Sequence, residues 1–463
     1  MTSAPRSAET DTLYEVRHKV YPRAVSGMFA RWRWAMVWIT QLVFYGLCWL
    51  PWNGRQAVLF HLAERKFYLF GWVFWPQDVF YLSVLLIISA FSLFLFTAAA
   101  GRLWCGYACP QTVYTEIFLW IERVCEGDRA KRIKLDNAAA SLNKLSRKGA
   151  KYSFWILLSL WAGISFVGYF TPIRELISEL FSLQVAGWSL FWVLFYGGFT
   201  YLMAGVMREQ VCKYMCPYAR FQGVMFDPDT LTITYDSSRG EPRGVRRKGV
   251  EPQGQGDCVD CGICVQVCPT GIDIRNGLQY ECIGCAACID ACDQVMDKVG
   301  LPRGLVRYST ENAIRQHWGA NDILRHVLRP RIMIYSAILL VLCVGFLWAL
   351  LARQPVHLDV HKDRSVMARE VEGELLENVY VLQLINMSEQ DHVFSVSVQG
   401  VEDAALRESE PIAVPAGESR SLPVSVRVPL ESMPRGSYKL YFEILAQDAS
   451  ELHARERSVF VVP

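Results

Sequence analysis

Cys258-Val-Asp-Cys261-Gly-Ile-Cys264-Val-Gln-Val-Cys268-Pro269 and Cys282-Ile-Gly-Cys285-Ala-Ala-Cys288-Ile-Asp-Ala-Cys292-Asp293 decide how this chain is read. Each run has the spacing C-x2-C-x2-C-x3-C, and the first carries the proline that usually follows its last cysteine. Closely spaced thiolates of this kind wrap an iron–sulfur cube, with the fourth cysteine of each run serving the other cube. The pattern predicts one [4Fe–4S] cluster on Cys258, Cys261, Cys264 and Cys292. It predicts a second on Cys282, Cys285, Cys288 and Cys268. Gly262, Gly284, Ala286 and Ala287 suit a backbone that must fold tightly around each cube. A zinc site needs only four thiolates, usually as two separated pairs, and accounts poorly for two full runs. Two cubes in one small fold lie close enough to exchange electrons.

Upstream, the Gly-, Pro- and Arg-rich stretch from Ser237 to Gly256 reads as a linker into this domain. Further upstream Cys105, Tyr107, Cys109 and Pro110 recur as Cys212, Tyr214, Cys216 and Pro217, all displaced by 107 residues. This is an internal repeat. Cysteines at i and i+4 on one helix present both thiols to the same side. The two pairs can therefore bring four thiols together, with Met203, Met207 and Met215 beside the second. Thiolate and thioether are soft ligands that favour Cu(I), so such a site would help reduce Cu(II). A plain packing role for helix-end cysteines stays open. Cys48, Cys125 and Cys343 have no such company and read as structural.

Each pair follows a long apolar run. Five segments lack Asp, Glu, Lys and Arg over the length that a bilayer core demands: Trp34 to Trp52, Val79 to Gly101, Tyr152 to Thr171, Leu180 to Met207, and Ile332 to Ala352. Trp34, Trp49, Trp52 and Trp188 at their margins fit interfacial belts. Lys and Arg number 6 before the first span, 10 between spans two and three, and 16 between four and five. The loop between spans one and two has 3, and that between three and four has 1. The positive-inside rule then puts the N-terminus and both large loops in the cytoplasm, and everything after Ala352 outside.

Beyond the last span, Tyr380–Ile385, Val393–Val398, Leu422–Val428 and Tyr438–Ile444 alternate as half-buried strands do. They predict an immunoglobulin-like β-sandwich without a disulfide. His357 and His361 near its start read as solvated surface residues, and the domain as an interaction module.

The expected architecture is a multi-domain integral membrane protein with five transmembrane α-helices. Its parts are an N-terminal cytoplasmic segment (1–33), a four-helix membrane region with the duplicated C-x3-C-P elements (34–210) and a cytoplasmic dicluster ferredoxin-like domain (211–330). A fifth helix (331–352) and an immunoglobulin-like domain (353–463) complete it. Composition agrees. Of 15 cysteines none lies after Cys343, which points to metal ligation in a reducing compartment rather than a disulfide framework. A net charge of +2 gives no reason to expect nucleic acid. Met1 to Asp11 is polar and lacks an apolar core, so no cleavable signal peptide is expected. All eight histidines, among them His18, His61, His317, His326, His392 and His453, fall outside the five spans, which disfavours membrane haem. No dinucleotide fingerprint or P-loop occurs.

With these elements in order, the chain resembles the CcoG family, also called FixG or RdxA, accessory proteins of the bacterial cbb-type cytochrome c oxidase. The resemblance runs over nearly the whole chain and includes the pre-membrane stretch Lys19-Val-Tyr-Pro-Arg-Ala-Val25. It implies a cupric reductase in the bacterial inner membrane that supplies Cu(I) for the binuclear centre of the oxidase. Cys105, Cys109, Cys212 and Cys216 become the candidate redox or copper thiols, and copper the substrate. Asp293 departs from the usual proline, leaves the ligand set intact and bears on the potential of the second cluster. Implied partners are the lipid bilayer, a cytoplasmic electron donor, and oxidase assembly factors or copper chaperones; a homo-oligomer stays open. Two rival readings remain: a quinol dehydrogenase subunit of the periplasmic nitrate reductase type, and a redox-sensing assembly scaffold.

Overall fold

The computed structural model describes residues 19–245, 254–363, 368–371, 374–407, 410–430, 433–449 and 451–463. The polar N-terminal segment to His18 and the middle of the Ser237–Gly256 stretch lie outside them. The chain forms two compact units, and the division cuts through the long helices. One comprises 1–41, 93–162 and 195–335, and the other 42–92, 163–194 and 336–463.

Among the described residues four helices are long and apolar enough to cross a membrane: Pro76–Ala100, Leu142–Val167, Gly187–Met207 and Pro330–Leu351. The first and last bury none of their apolar window within the protein, as expected where lipid is the solvent. The helix expected from Trp34 is present as Met28–Leu47, 20 residues long, but is not among the four. Arg31 and Arg33 in its first turns and Gln41 further along dilute its apolarity.

Three boundaries differ from expectation. The first helix stops at Leu47, and Pro51–Trp52 pairs as a strand with Arg55–Gln56. Leu180 belongs to a separate amphipathic helix, Ile173–Ser182, which carries Glu175 and Glu179; the next long helix starts only at Gly187. The helix over Tyr152 begins ten residues earlier, at Leu142, because Lys and Arg continue it beyond the apolar run.

In the unit that includes the C-terminus, the segment after the first helix folds into a three-stranded antiparallel sheet. Its strands are Val58–His61, Lys66–Leu69 and Trp72–Phe74. From Val356 the chain is a sandwich of two antiparallel sheets. One has the order Ala405–Leu406, Ser419–Pro429, Leu375–Asn386, Val356–Lys362, with Arg369–Val371 also on Leu375–Asn386. The other has the order Ile412–Val414, His392–Gln399, Gly436–Ala446, His453–Val462. All four strands read from alternation are present. Their inward residues form one core in which Tyr380 stacks edge-on against Phe442, ring centres 5.0 Å apart. The Tyr380 hydroxyl donates to the Val459 carbonyl at 2.9 Å, satisfying the polar end of a fully buried ring. The sandwich contains no cysteine, as its sequence requires. His357 sits on the strand Val356–Lys362 with Nε2 3.1 Å from Asp359.

In the other unit the cluster-motif region packs on the strand pair Thr232–Tyr235 and Val306–Ser309. The described ends of the Ser237–Gly256 stretch are not a free linker. Gly256 donates to the Pro242 carbonyl at 2.9 Å and Asp257 to the Arg239 carbonyl at 2.9 Å, so these ends lie against each other beside Cys258. The stretch Lys19–Val25 is clamped into the same unit. Arg23 donates to the Gln266 carbonyl at 2.8 Å, and Ala24 to the Asp128 carboxylate at 3.1 Å.

Candidate functional site

The two cysteine runs have the same backbone. Asp260 and Gly262 in the first, and Gly284 and Ala286 in the second, all adopt positive φ, at 51°, 64°, 70° and 58°. These are equivalent positions, the third and fifth of each run. Two left-handed residues around the second cysteine curl each loop so that its first three thiols converge. Each loop then enters a helix, Ile263–Gln266 or Ala287–Val299, from the left-handed residue.

Pairing between the runs is crossed. Cys258, Cys261, Cys264 and Cys292 line one cavity, together with Arg275 and Met296. Burial pushes the Cys292 thiol up to about 12, and Cys264, Cys261 and Cys258 add to the rise by like-charge repulsion. In the other group, burial raises Cys282 to about 12, helped by Cys285 and Cys268. Burial raises Cys288 strongly as well, with Cys285, Cys282 and Cys268 as its principal charged neighbours. The sets brought together are those expected from spacing. They fit the iron–sulfur group on chemical grounds: eight thiols, carried on two loops curled by positive φ, would each gain by ionising onto iron. Among the described residues no three His, Cys, Asp or Glu side chains stand as a single-ion site.

The C-x3-C-P elements differ from a simple helix. Cys105 lies in the short helix Leu103–Tyr107, while Cys109 is extended at φ −61°, ψ 127° and precedes the helix Pro110–Glu126. In the second element Cys212 lies in the π-helical turn Val211–Met215. Cys216 is extended at φ −79°, ψ 110° before the helix Pro217–Met225. Proline excludes the helical conformation from the residue before it and opens the next helix itself. The expectation of two thiols on one helix face is therefore replaced by a helix–break–helix, built twice. Its consequence survives. Cys105 Sγ lies 3.4 Å from Gln222 Oε1, on the helix that follows the second pair. Burial raises Cys105 to about 11, with Cys109 and Cys216 among the further causes. Burial raises Cys212 to about 12, followed by Cys109, Cys105 and Cys216. The four thiols lie within electrostatic reach of one another without forming one coordination sphere.

Residues not foreseen from sequence join the two sites. A Cβ on Gly106 would stand 2.6 Å from the Gly284 carbonyl oxygen and 3.1 Å from Cys285 Cα, so the first C-x3-C-P element rests directly on the second cluster loop. Arg102 is buried, and its guanidinium donates to the carbonyls of Tyr280, Cys282 and Ala219. The Tyr308 hydroxyl donates to the Gly284 carbonyl at 2.9 Å. Asp290, between Cys288 and Cys292, accepts from the backbone amides of Phe29 at 3.2 Å and Ala30 at 2.7 Å, and so caps the first long helix. Nothing in local sequence separates these residues from ordinary loop glycines, arginines and aspartates; only the repeat, in which Gly106 corresponds to Lys213, marks the two elements as unequal.

A buried ion network ties the helix after the first element to the turn before the second. Glu122 accepts from Arg132 at 2.7 Å and from Arg208 at 3.0 Å, and Lys151 pairs with Glu126 at 2.9 Å. Arg208 sits at φ 46° between the two π-helical turns that lead to Cys212. Such turns occur where a helix is bent for a functional reason.

Three families of known domains match the chain. A 4Fe-4S dicluster domain covers residues 207–311, a 4Fe-4S binding domain covers 82–125, and the Ig-like fold at the C-terminus of FixG covers 346–463. The nitrogen fixation protein FixG of Rhizobium meliloti is 37% identical, over 97% of this chain and 93% of that one. Protein RdxB of Cereibacter sphaeroides is 38% identical over 95% of each chain. Protein RdxA of the same organism is 40% identical over 86% of each.

Proposed function

Since this chain belongs to the FixG/RdxA family of iron–sulfur membrane electron-transfer proteins, we propose that it reduces Cu(II) to Cu(I). On this reading the Cu(I) serves assembly of the copper-containing centre of a cbb-type cytochrome c oxidase. Cys258, Cys261, Cys264 and Cys292 would hold one [4Fe–4S] cluster, and Cys268, Cys282, Cys285 and Cys288 the other. Such clusters, when bound, supply electrons one at a time. Cys105, Cys109, Cys212 and Cys216 are the thiols toward which Cu(II) is drawn. Each electron delivered there converts one Cu(II) to Cu(I), the state that soft sulfur ligands favour.

The observation that carries this reading is the contact of Gly106 with the Gly284–Cys285 backbone. It sets a thiol element with no cluster spacing of its own against a loop that has one. Burial keeps the Cys105 and Cys212 thiols protonated near neutral pH, so metal capture must displace their protons. The reading places the cluster region and these thiols on the cytoplasmic side of the inner membrane, and the sandwich in the periplasm as a docking module.

The test is anaerobic. The detergent-solubilised protein is reduced, Cu(II) is added, and cluster absorbance and Cu(I) are followed together. Cu(I) should appear as the clusters reoxidise, and a variant with Cys105, Cys109, Cys212 and Cys216 all changed to serine should keep its clusters and lose the reaction. Reduced clusters that ignore Cu(II) would sink the proposal.

A second reading, quinol oxidation, has one observation in its favour. An apolar groove of about 490 Å³ lies beside the first thiol element, lined by Phe29, Trp32, Phe96, Trp104, Tyr107 and Tyr308. Cluster reduction by a quinol under the same conditions would support it.

A further inference from the structure

Arg102 has no carboxylate partner among the described residues. It is 6% exposed, and its guanidinium bonds only to backbone carbonyls: Cys282 at 2.9 Å, Ala219 at 2.6 Å, and Tyr280. A buried cation held by neutral acceptors is costly unless an anion stands near. Arg33 is in a similar position. It is 8% exposed, its Nε has no hydrogen-bond partner, and Glu116, its nearest carboxylate, is 3.9 Å away and shared with Arg123. It lines a small cavity with Val267 and Pro269, the neighbours of Cys268.

The other thiol set has the opposite surroundings. Its arginine, Arg275, is neutralised by Asp273, with Nε 2.9 Å and Nη2 2.7 Å from that carboxylate, and by Asp260 as well. Asp293 follows Cys292 directly, so its charge bears on this site and not on the second cluster, as its place in the second run had suggested. On the Cys282 side Asp290 accepts from two amides at a helix N-terminus, and Glu116, the carboxylate that acts on Cys285, is shared between Arg33 and Arg123. Glu281, beside Cys282, is partly exposed, where solvent screens it.

We infer that Arg102, seconded by Arg33, makes the Cys268/Cys282/Cys285/Cys288 site the stronger electron acceptor of the two, and so fixes the order of transfer. This rests on the cluster assignment above and adds a direction to it. One electron leaves the Cys258/Cys261/Cys264/Cys292 site and enters the other; no bond or proton is exchanged. From there it passes to Cu(II) held at the four thiols, which becomes Cu(I); the receiving loop lies against the first thiol element. Cys261 is exposed, so the site with the lower potential is also the one an external reductant can approach. Arg102 acts through the cluster site and the thiols, by its charge and its hold on Cys282, and is a positioning residue.

The experiment is a potentiometric titration of the full-length protein in detergent, with dithionite as reductant and each cluster followed by electron paramagnetic resonance. Wild type should reduce in two separate one-electron steps. Arg102→Gln should lower only the higher step, by at least the ~59 mV that a tenfold change in a one-electron equilibrium represents. Arg33→Gln should move the same step in the same direction, and Arg102→Lys, which keeps the charge, should restore it. If Arg102→Gln loses iron, Arg33→Gln and Arg102→Lys decide the matter. A single step, or a shift in the lower step alone, overturns the inference. Copper reduction with unresponsive potentials would refute the ordering and leave the activity standing; ordered potentials without copper reduction would do the reverse.

Discussion

Gly106 lies so close to the Gly284 carbonyl that it has no room for a side chain. A Cβ on Gly106 would meet the Gly284 carbonyl oxygen at 2.6 Å, and one on Gly284 would meet the Arg102 carbonyl oxygen at 3.1 Å. The short helix Leu103–Tyr107 and the second cluster loop are thereby pressed into backbone contact. At that separation a single methyl group decides whether they stay in register.

Gly106→Ala is expected to push the first thiol element off the second cluster loop. Overpacking of this kind costs roughly 1–3 kcal/mol. Iron content should survive, while the rate of Cu(I) formation from the reduced protein falls at least tenfold. A variant with wild-type kinetics would show that the contact is only packing.

Asp290→Asn removes the charge that caps the helix Met28–Leu47 but keeps its shape. Hydrogen bonds to a charged group are worth about 1.5–3 kcal/mol each, and the neutral amide retains part of that. Loss of about 1 kcal/mol in thermal unfolding is expected, with earlier proteolysis near Ser26. Gly27→Ala should act at the same point, because its Cβ would fall 2.2 Å from Asp290 Cγ.

Glu122→Gln strands two buried cations, Arg132 and Arg208, while Lys151 keeps Glu126. Breaking one partner from a buried ion pair costs roughly 3–5 kcal/mol. The variant should be recovered in poor yield, and its loss should be partly offset when Arg208→Met is added. Non-additivity in that double-mutant cycle is the measurement.

Alkylation reports the raised thiols. Cys105 ionises near 11 rather than at its ordinary 9.0, because it is buried and beside other thiols. Its reaction with iodoacetamide should rise about tenfold per pH unit up to about pH 11, where a free thiol levels off two units earlier. Stability follows the same sign. The unfolded thiol loses its proton near 9.0 and the folded one only near 11, so this contribution is whole below pH 9 and disappears toward pH 11. A plateau in alkylation at pH 9 would place Cys105 in water.

Much of the molecule is legible from residues in order along the chain. The grouping of the first three cysteines of each run follows from C-x2-C-x2-C-x3-C spacing, because three thiols one short loop apart cannot avoid sharing a site, and the crossing of the fourth follows from the general pattern of two-cluster ferredoxins. Alternation alone located Leu375–Asn386 and Gly436–Ala446, since a sheet with one dry face imposes a period of two on its side chains. Span limits were less secure. Leu180 opens a stretch free of charge but belongs to an amphipathic helix whose Glu175 and Glu179 stand just before it, and freedom from charge does not show where a short helix ends.

Local order thus determined which thiols group together, where the chain is apolar enough for lipid, and where it alternates into a sandwich. Those properties are fixed by spacing and periodicity within a few tens of residues. Only the tertiary structure decided that Cys109 and Cys216 leave their helices, that Gly106 lies on Gly284, that Asp290 caps a helix begun more than two hundred and fifty residues earlier, and that Arg102 stands buried with no carboxylate partner among the described residues. Each of these is a relation between distant segments, set by close packing and by the need to satisfy buried polar groups, and neither is written in any one stretch of sequence.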